Sequence, residues 1–212
     1  MQLRKLKSAK KTQTPNSKYN VSSQAKPLLL RQSKYNRMVN INFTPFPILA
    51  TERLTLRQLS IDDQQDIFAL RSDPKINHFL DREPSRTIDD AINFIRKVND
   101  NIRKKNSIYW AISLTSTKTF VGTICLFDFS NEKNSCEIGY ELMTKFQGQG
   151  IMKEAAQVVI DYVSQTLKFK KILASTHYEN LSSTNLLLKL NFVKSIETDK
   201  ENPNLNIFTL IQ

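Results

Sequence analysis

The chain has 212 residues, with 31 Lys/Arg against 20 Asp/Glu for a formal net charge of +11, 40% hydrophobic residues, two Cys and two His. That length suits one domain of ordinary size with a sizeable core, plus a tail. No apolar run reaches the roughly 18 residues needed to span a membrane, and two Cys without a nearby His make neither a disulfide framework nor a zinc site.

The charge is unevenly placed. Residues 1–37 contain ten Lys/Arg and no acidic residue, so the rest of the chain holds 21 basic residues against all 20 acidic ones. The basicity belongs to the tail, which argues against a basic nucleic-acid groove on the folded body. The tail is rich in Lys, Ser, Gln and Asn, with one apolar cluster at Leu28–Leu30. Such a composition predicts a disordered basic segment over 1–44 and a folded domain over 45–212. Two meanings of the tail stand side by side: an electrostatic arm for RNA or the ribosome, and a targeting segment, although a secretory apolar region is missing.

Residues 51–59 alternate Leu54 and Leu56 with polar neighbours and predict a strand. Ser60 followed by Asp62 and Asp63 predicts a helix start, with Ile61, Ile67, Phe68 and Leu70 on the buried side. Asp73-Pro74 ends that helix, and a short one bearing Ile76, Phe79 and Leu80 follows. Thr87, with Asp89 and Asp90 behind it, opens a longer helix through Ile88, Ile92, Ile95, Val98 and Ile102. Residues 107–114 and 119–129 read as strands joined by a hairpin at 115–118, and 131–134 turn into a third strand, Cys136 to Leu142.

That strand runs into Phe146-Gln147-Gly148-Gln149-Gly150-Ile151-Met152-Lys153-Glu154-Ala155, which holds two of the four glycines in the chain. Behind it come Ile151, Ala155, Val158, Val159, Tyr162, Val163 and Thr166, an apolar stripe at helical spacing. Strand, glycine turn and helix start bring free backbone N–H groups and the positive end of a helix dipole to one point, which suits a phosphate or pyrophosphate. Glycine lets the backbone approach such a ligand. Lys153 occupies the place of the third glycine of a dinucleotide fingerprint, and the Gly-Lys-Ser/Thr of a P-loop is missing, so neither motif applies.

Residues 171–177 read as another strand, and Asn180 to Leu190 as a helix lined by Leu181, Leu187, Leu188 and Leu190. Residues 192–193 and 205–210 make two final strands. A strand–helix–strand crossover from Glu137 to His177 inside an otherwise antiparallel meander predicts a single α/β domain, a mixed and mostly antiparallel sheet flanked by helices.

The segment Gln147-x-x-Gly150 with Glu154-Ala155 resembles the acetyl-CoA pyrophosphate loop of the GNAT N-acetyltransferases, and Phe-Gln-Gly-Gln-Gly-Ile-Met is similar to the RimJ/RimL-type branch that acetylates ribosomal-protein N-termini. Thr-Glu-Arg-Leu-x-Leu-Arg at 51–57 resembles that branch's opening. Met152 departs from the family's Gly/Ala, so its side chain must turn away from the phosphates or the loop be wider than usual. Asn191 stands where the family has Gly; Asn takes the left-handed position after a helix readily. The resemblance also gives the tail a third meaning, since Met38 begins where the family's domain begins and is a candidate true start.

The resemblance implies acetyl-CoA as co-substrate, no metal, and coenzyme contacts from Gln147, Gly148, Gln149, Gly150, Ile151, Met152, Lys153 and Asn180. Acetyl transfer needs a neutral amine, a base for its proton and a proton for the departing sulfur. Glu137 is the base candidate, with Glu141 as the alternative, or Glu197 and Glu201 near the carboxyl end. Glu137 also reads as an ordinary solvent-facing strand carboxylate. Ser183 of Asn180-x-x-Ser183 is the proposed proton donor; without the resemblance, Asn180 is a helix N-cap and Ser183 its third residue. Other family members place a Tyr acid one turn later, where this chain has Leu187. Cys125 and Cys136 read as buried reduced thiols, His177 and Trp110 as structural. The implied acceptor is a protein N-terminal α-amine, with a small-molecule amine (aminoglycoside or polyamine) or a non-catalytic ribosome- or RNA-associated role as alternatives. A cytoplasmic protein without membrane contact, monomeric or homodimeric, is expected.

Overall fold

The computed structural model describes residues 41–199 and 201–212. Of the disorder expected over 1–44, residues 1–40 lie outside them, whereas 41–44 are described, with Phe43 buried in the core.

The described residues build one eight-stranded sheet: β1 (Leu49–Ala50), β2 (Leu54–Gln58), β3 (Ser107–Leu114), β4 (Phe120–Ser130), β5 (Ser135–Leu142), β6 (Lys171–His177), β7 (Val193–Thr198) and β8 (Leu205–Ile211), in the spatial order β1-β2-β3-β4-β5-β6-β8-β7. Five helices flank it: α1 (Gln64–Ser72), α2 (Pro74–Asn77), α3 (Ile88–Arg103), α4 (Ile151–Tyr162) and α5 (Leu181–Lys189). The mixed sheet expected from the crossover is present. All neighbours pair antiparallel except β5 and β6, which α4 links in parallel.

Alternation along β3 to β5 separates two faces. Trp110, Ile124 and Ile138 are buried on one, and Tyr162 at the end of α4 meets the Trp110 ring at 5.8 Å. On the other, Tyr109 meets Phe94 of α3 edge-on at 5.5 Å. The Trp110 indole N–H donates to the Pro47 carbonyl at 2.8 Å, so even this buried ring has its polar atom satisfied.

Local signals act as their chemistry requires. Thr87 and Asp90 form a reciprocal capping box at the start of α3. Asp73 accepts from the Lys75 amide and Pro74 takes the first turn of α2. Asn191 adopts φ 63°, the left-handed turn after α5.

Four expectations need correction. Ile61 is 42% exposed because Ile61–Asp63 is a separate 3-10 turn before α1, which changes the face that residue presents. Leu181 and Leu188 of α5 are also exposed, whereas Leu187 and Leu190 enter the core. After Tyr162 the chain makes a π-helical turn, Val163–Leu167; the wider turn rotates the apolar stripe, so Leu167 is buried and Thr166 is exposed. Strand β1 was not anticipated, being only two residues long.

Candidate active site

The parallel register of β5 with β6 runs Ser135–Lys171, Cys136–Ile172, Glu137–Leu173. Beyond that rung β5 continues with β4 as far as Leu142, while β6 continues with β8 to His177. The two central strands therefore part at Ile138. Gly122 keeps β4 close to the departing end of β5, since a Cβ there would lie 2.3 Å from the Glu141 carbonyl oxygen. Gly139, just past the parting, keeps regular register opposite Cys125.

A cleft of about 480 Å³ opens above the parting. Its walls are α2 (Ile76) with Phe79, the end of β5 (Tyr140, Glu141, Leu142), the glycine loop and the first two turns of α5. Of the anticipated residues, Gln147, Gly148, Gly150, Ile151, Met152, Lys153, Asn180 and Ser183 line it. Gln149 backs the loop instead: its side-chain amide donates to the Lys145 carbonyl, and its own carbonyl accepts from Arg53.

Both loop glycines adopt φ 75°, and Gly150 is the N-cap of α4. The first α4 hydrogen bond joins the Glu154 amide to the Gly150 carbonyl, so the amides of Ile151, Met152 and Lys153 have no partner within the helix. A Cβ on Gly148 would meet nothing within 4 Å and one on Gly150 only Arg53 Nη2 at 3.7 Å. Glycine is thus needed for its backbone angle, with open space left above the loop for a ligand. Met152 is 6% exposed and packs into the core, which resolves its departure from the family pattern: the side chain turns inward. Lys75, Lys153 and Lys189 also line the cleft. Unpartnered amides, a helix dipole and three ammonium groups fit a pyrophosphate.

On the opposite wall Asn180 caps α5, its side chain accepting from the Ser183 amide at 3.0 Å. The Ser183 hydroxyl is 2.8 Å from the Tyr140 hydroxyl on β5. Burial pushes the Tyr140 phenol up to about 12, with the bond to Ser183 opposing, so the ring is neutral at ordinary pH. Tyr140 was overlooked in the sequence; the available signal was its position two residues after Ile138 on the same pleat.

The carboxylates divide. Glu137 lies half-buried on the last paired rung and is not among the cleft-lining residues. Glu141 lines the cleft, but Arg82 holds both its oxygens at 2.7 and 2.8 Å, with only 13% and 10% of the two side chains exposed. Glu201 is exposed and not among the cleft-lining residues; Glu197 is on β7, its side chain outside the described residues. His177 stacks between Phe79 (5.6 Å) and Tyr178 (4.8 Å). Cys125 and Cys136 are buried and free; burial drives both thiols upward, Cys136 to about 12, so neither is a ready nucleophile. Among the described residues no group of His, Cys, Asp and Glu could hold a metal, and no helix is long and apolar enough to cross a membrane.

The central parallel pair splays beside a glycine-capped helix and leaves a cleft whose chemistry suits an anionic, pyrophosphate-bearing ligand. Comparison with known proteins makes the family explicit. The Acetyltransferase (GNAT) domain model matches residues 53–193. N-acetyltransferase YoaA of Bacillus subtilis (strain 168) is 33% identical over 149 residues, 70% of this chain and 84% of that protein. The [Ribosomal protein uS5]-alanine N-acetyltransferase of Escherichia coli (strain K12) is 29% identical over 101 residues, 46% of this chain and 50% of that one. RimL, a ribosomal L7/L12 alpha-N-protein acetyltransferase solved with coenzyme A, superposes with a TM-score of 0.69 over 78% of this chain and 98% of its own, at 15% identity. The chain belongs to the GNAT family of N-acetyltransferases.

Proposed function

We propose that this acetyltransferase uses acetyl-CoA to acetylate the α-amine of a protein N-terminus, with ribosomal proteins as the favoured acceptors. The observation that carries the reading is the charge of the cleft. Among the described residues three lysines line it, and the one acidic lining residue, Glu141, is held by Arg82. Such a wall attracts the anionic coenzyme and repels a polycation, which disfavours aminoglycosides and polyamines. With Glu141 so engaged, the described lining offers no free carboxylate as a base, which favours an acceptor amine that is already partly neutral. An α-amine, with pKa of about 7.7–8.0, is substantially neutral near pH 8, whereas a lysine near 10.4 is not. The partial likeness to the uS5-alanine acetyltransferase supports the same choice.

In this reading the amides of Ile151, Met152 and Lys153 hold the pyrophosphate, with Gln147 bracing the loop through its bond to the Leu142 carbonyl. Glu137 takes the amine proton through water, and Ser183 protonates the sulfur as it leaves. Transfer is direct, because the buried, protonated cysteines offer no covalent relay. Purified protein with acetyl-CoA should acetylate peptides carrying ribosomal-protein N-termini and leave spermidine and kanamycin unmodified. Faster turnover with either small amine would overturn the acceptor assignment. Comparing N-terminal acetylation across the proteome with and without the gene then names the substrate.

A further inference from the structure

The hydroxyls of Tyr140 and Ser183, 43 residues apart in the chain, meet at 2.8 Å inside the cleft. The Ser183 backbone is already held by Asn180, whose side chain accepts from its amide. Cα is therefore placed by the helix cap, and the tyrosine selects the direction of Oγ. We propose that Tyr140 is a positioning residue for proton delivery: its O–H donates to Ser183 Oγ, directs the serine's own proton into the cleft, and replaces that proton once it has moved. The proposal rests on Ser183 as the donor to sulfur.

The donor direction follows from acidity. An aliphatic hydroxyl is a far weaker acid than a phenol, so a serine acting alone would be left as a costly alkoxide. The Tyr140 phenol, although raised by burial, remains the stronger acid of the two. The steps balance: Ser183 Oγ–H gives its proton to the sulfur, Tyr140 O–H gives its proton to Oγ, and the phenolate recovers a proton from water. No oxidant, reductant or further reactant is involved. Sequence periodicity could not show this, because Tyr140 belongs to a strand and Ser183 to a helix that follows the next strand.

The test is a double-mutant cycle on the full-length protein, reading kcat and acetyl-CoA Kd for Tyr140→Phe, Ser183→Ala and the double variant. Tyr140→Phe should lower kcat about tenfold, the size of one hydrogen bond, with Kd changed less than twofold. The same substitution in the Ser183→Ala background should change kcat no further. An unaltered kcat in Ser183→Ala overturns the serine reading and this proposal with it. A slow Ser183→Ala beside an unaltered Tyr140→Phe overturns this proposal alone, as does a Tyr140→Phe loss that persists undiminished without the serine. Should Tyr140→Phe fold poorly, 3,5-difluorotyrosine at position 140 keeps the ring and the bond but is a stronger acid. It should move the alkaline fall of kcat to lower pH, and an unmoved limb overturns the role.

Discussion

The Arg53 guanidinium holds the Glu154 carboxylate at 2.6–2.7 Å, joining residues 101 positions apart. Glu154 also accepts from the Thr51 hydroxyl and the Arg53 amide, and Arg53 Nη1 reaches the Gln149 carbonyl at 3.3 Å. The β1–β2 corner is thereby tied to the glycine loop and the first turn of α4.

Loosening this tie should weaken coenzyme binding more than it weakens folding. Arg53 is half exposed, so its ion pair contributes at most about 1 kcal/mol to stability. Arg53→Ala should raise the KM for acetyl-CoA about fivefold to tenfold, leaving the acceptor KM nearly unchanged, while Arg53→Lys recovers part of the loss. Equal rises in both KM values would show that the tie does not act through the loop.

The same pair sets a pH dependence. Desolvation raises the Glu154 carboxyl, but the bonds from Thr51 and Arg53 outweigh it and hold it below its ordinary value. A group depressed in the folded state adds stability above its unfolded pKa, about 4.3 for Glu, and that contribution disappears as pH falls through the folded value. The Tm gap between wild type and Glu154→Gln should therefore be full at pH 7 and close in acid below about pH 4. A gap that widens in acid would contradict the assignment.

Gly150 is constrained by its backbone angle. With φ 75° and only Arg53 Nη2 near a future Cβ, Gly150→Val should suffer from conformation, at about 1–2 kcal/mol, and from a loop pushed off its geometry. Acetyl-CoA affinity should fall more than tenfold, about 1.4 kcal/mol or more. Gly150→Asn, which tolerates the left-handed region, should retain most of the binding. Calorimetry that finds a folded Gly150→Val protein with wild-type affinity would remove the loop from the coenzyme site.

The two strand carboxylates should separate by phenotype. Glu141→Gln leaves the Arg82 charge buried without its partner, which costs about 3 kcal/mol and lowers Tm by roughly 6–12 °C for a chain of this size. Glu137→Gln should lose kcat/KM most strongly at low pH, where more of the acceptor amine is protonated. An unchanged pH–rate profile in Glu137→Gln would exclude it as the base.

Deletion of residues 1–37 should leave both Tm and kcat on a free peptide nearly unchanged. Among the described residues the core already takes in Ile41 and Phe43, and Phe43, 3% exposed, meets Phe129 at 5.9 Å. If the basic segment is an RNA or ribosome arm, the full-length chain should bind RNA with steep salt dependence, and the truncated chain should lose that binding. A large fall in Tm would refute the assignment of 1–37 as a tail.

What the sequence determined by itself was local. The glycine pair before an apolar helical stripe, the helix start at Thr87 and the left-handed Asn191 follow from rules that act over one or two turns, and the structure shows each of them. The strand alternation likewise sufficed for a mixed sheet with one parallel crossover. The cleft was decided only in three dimensions. Its floor is the rung at which β5 and β6 stop pairing, and nothing near Glu137 marks that rung, because the strands part only where β4 retains one and β8 the other. For the same reason Glu141 is claimed by Arg82 across 59 residues, and Tyr140 meets Ser183 across 43. Period-2 alternation assigns a side chain to a face of the sheet; the packing of distant helices and the end of the strand pairing determine what that face meets.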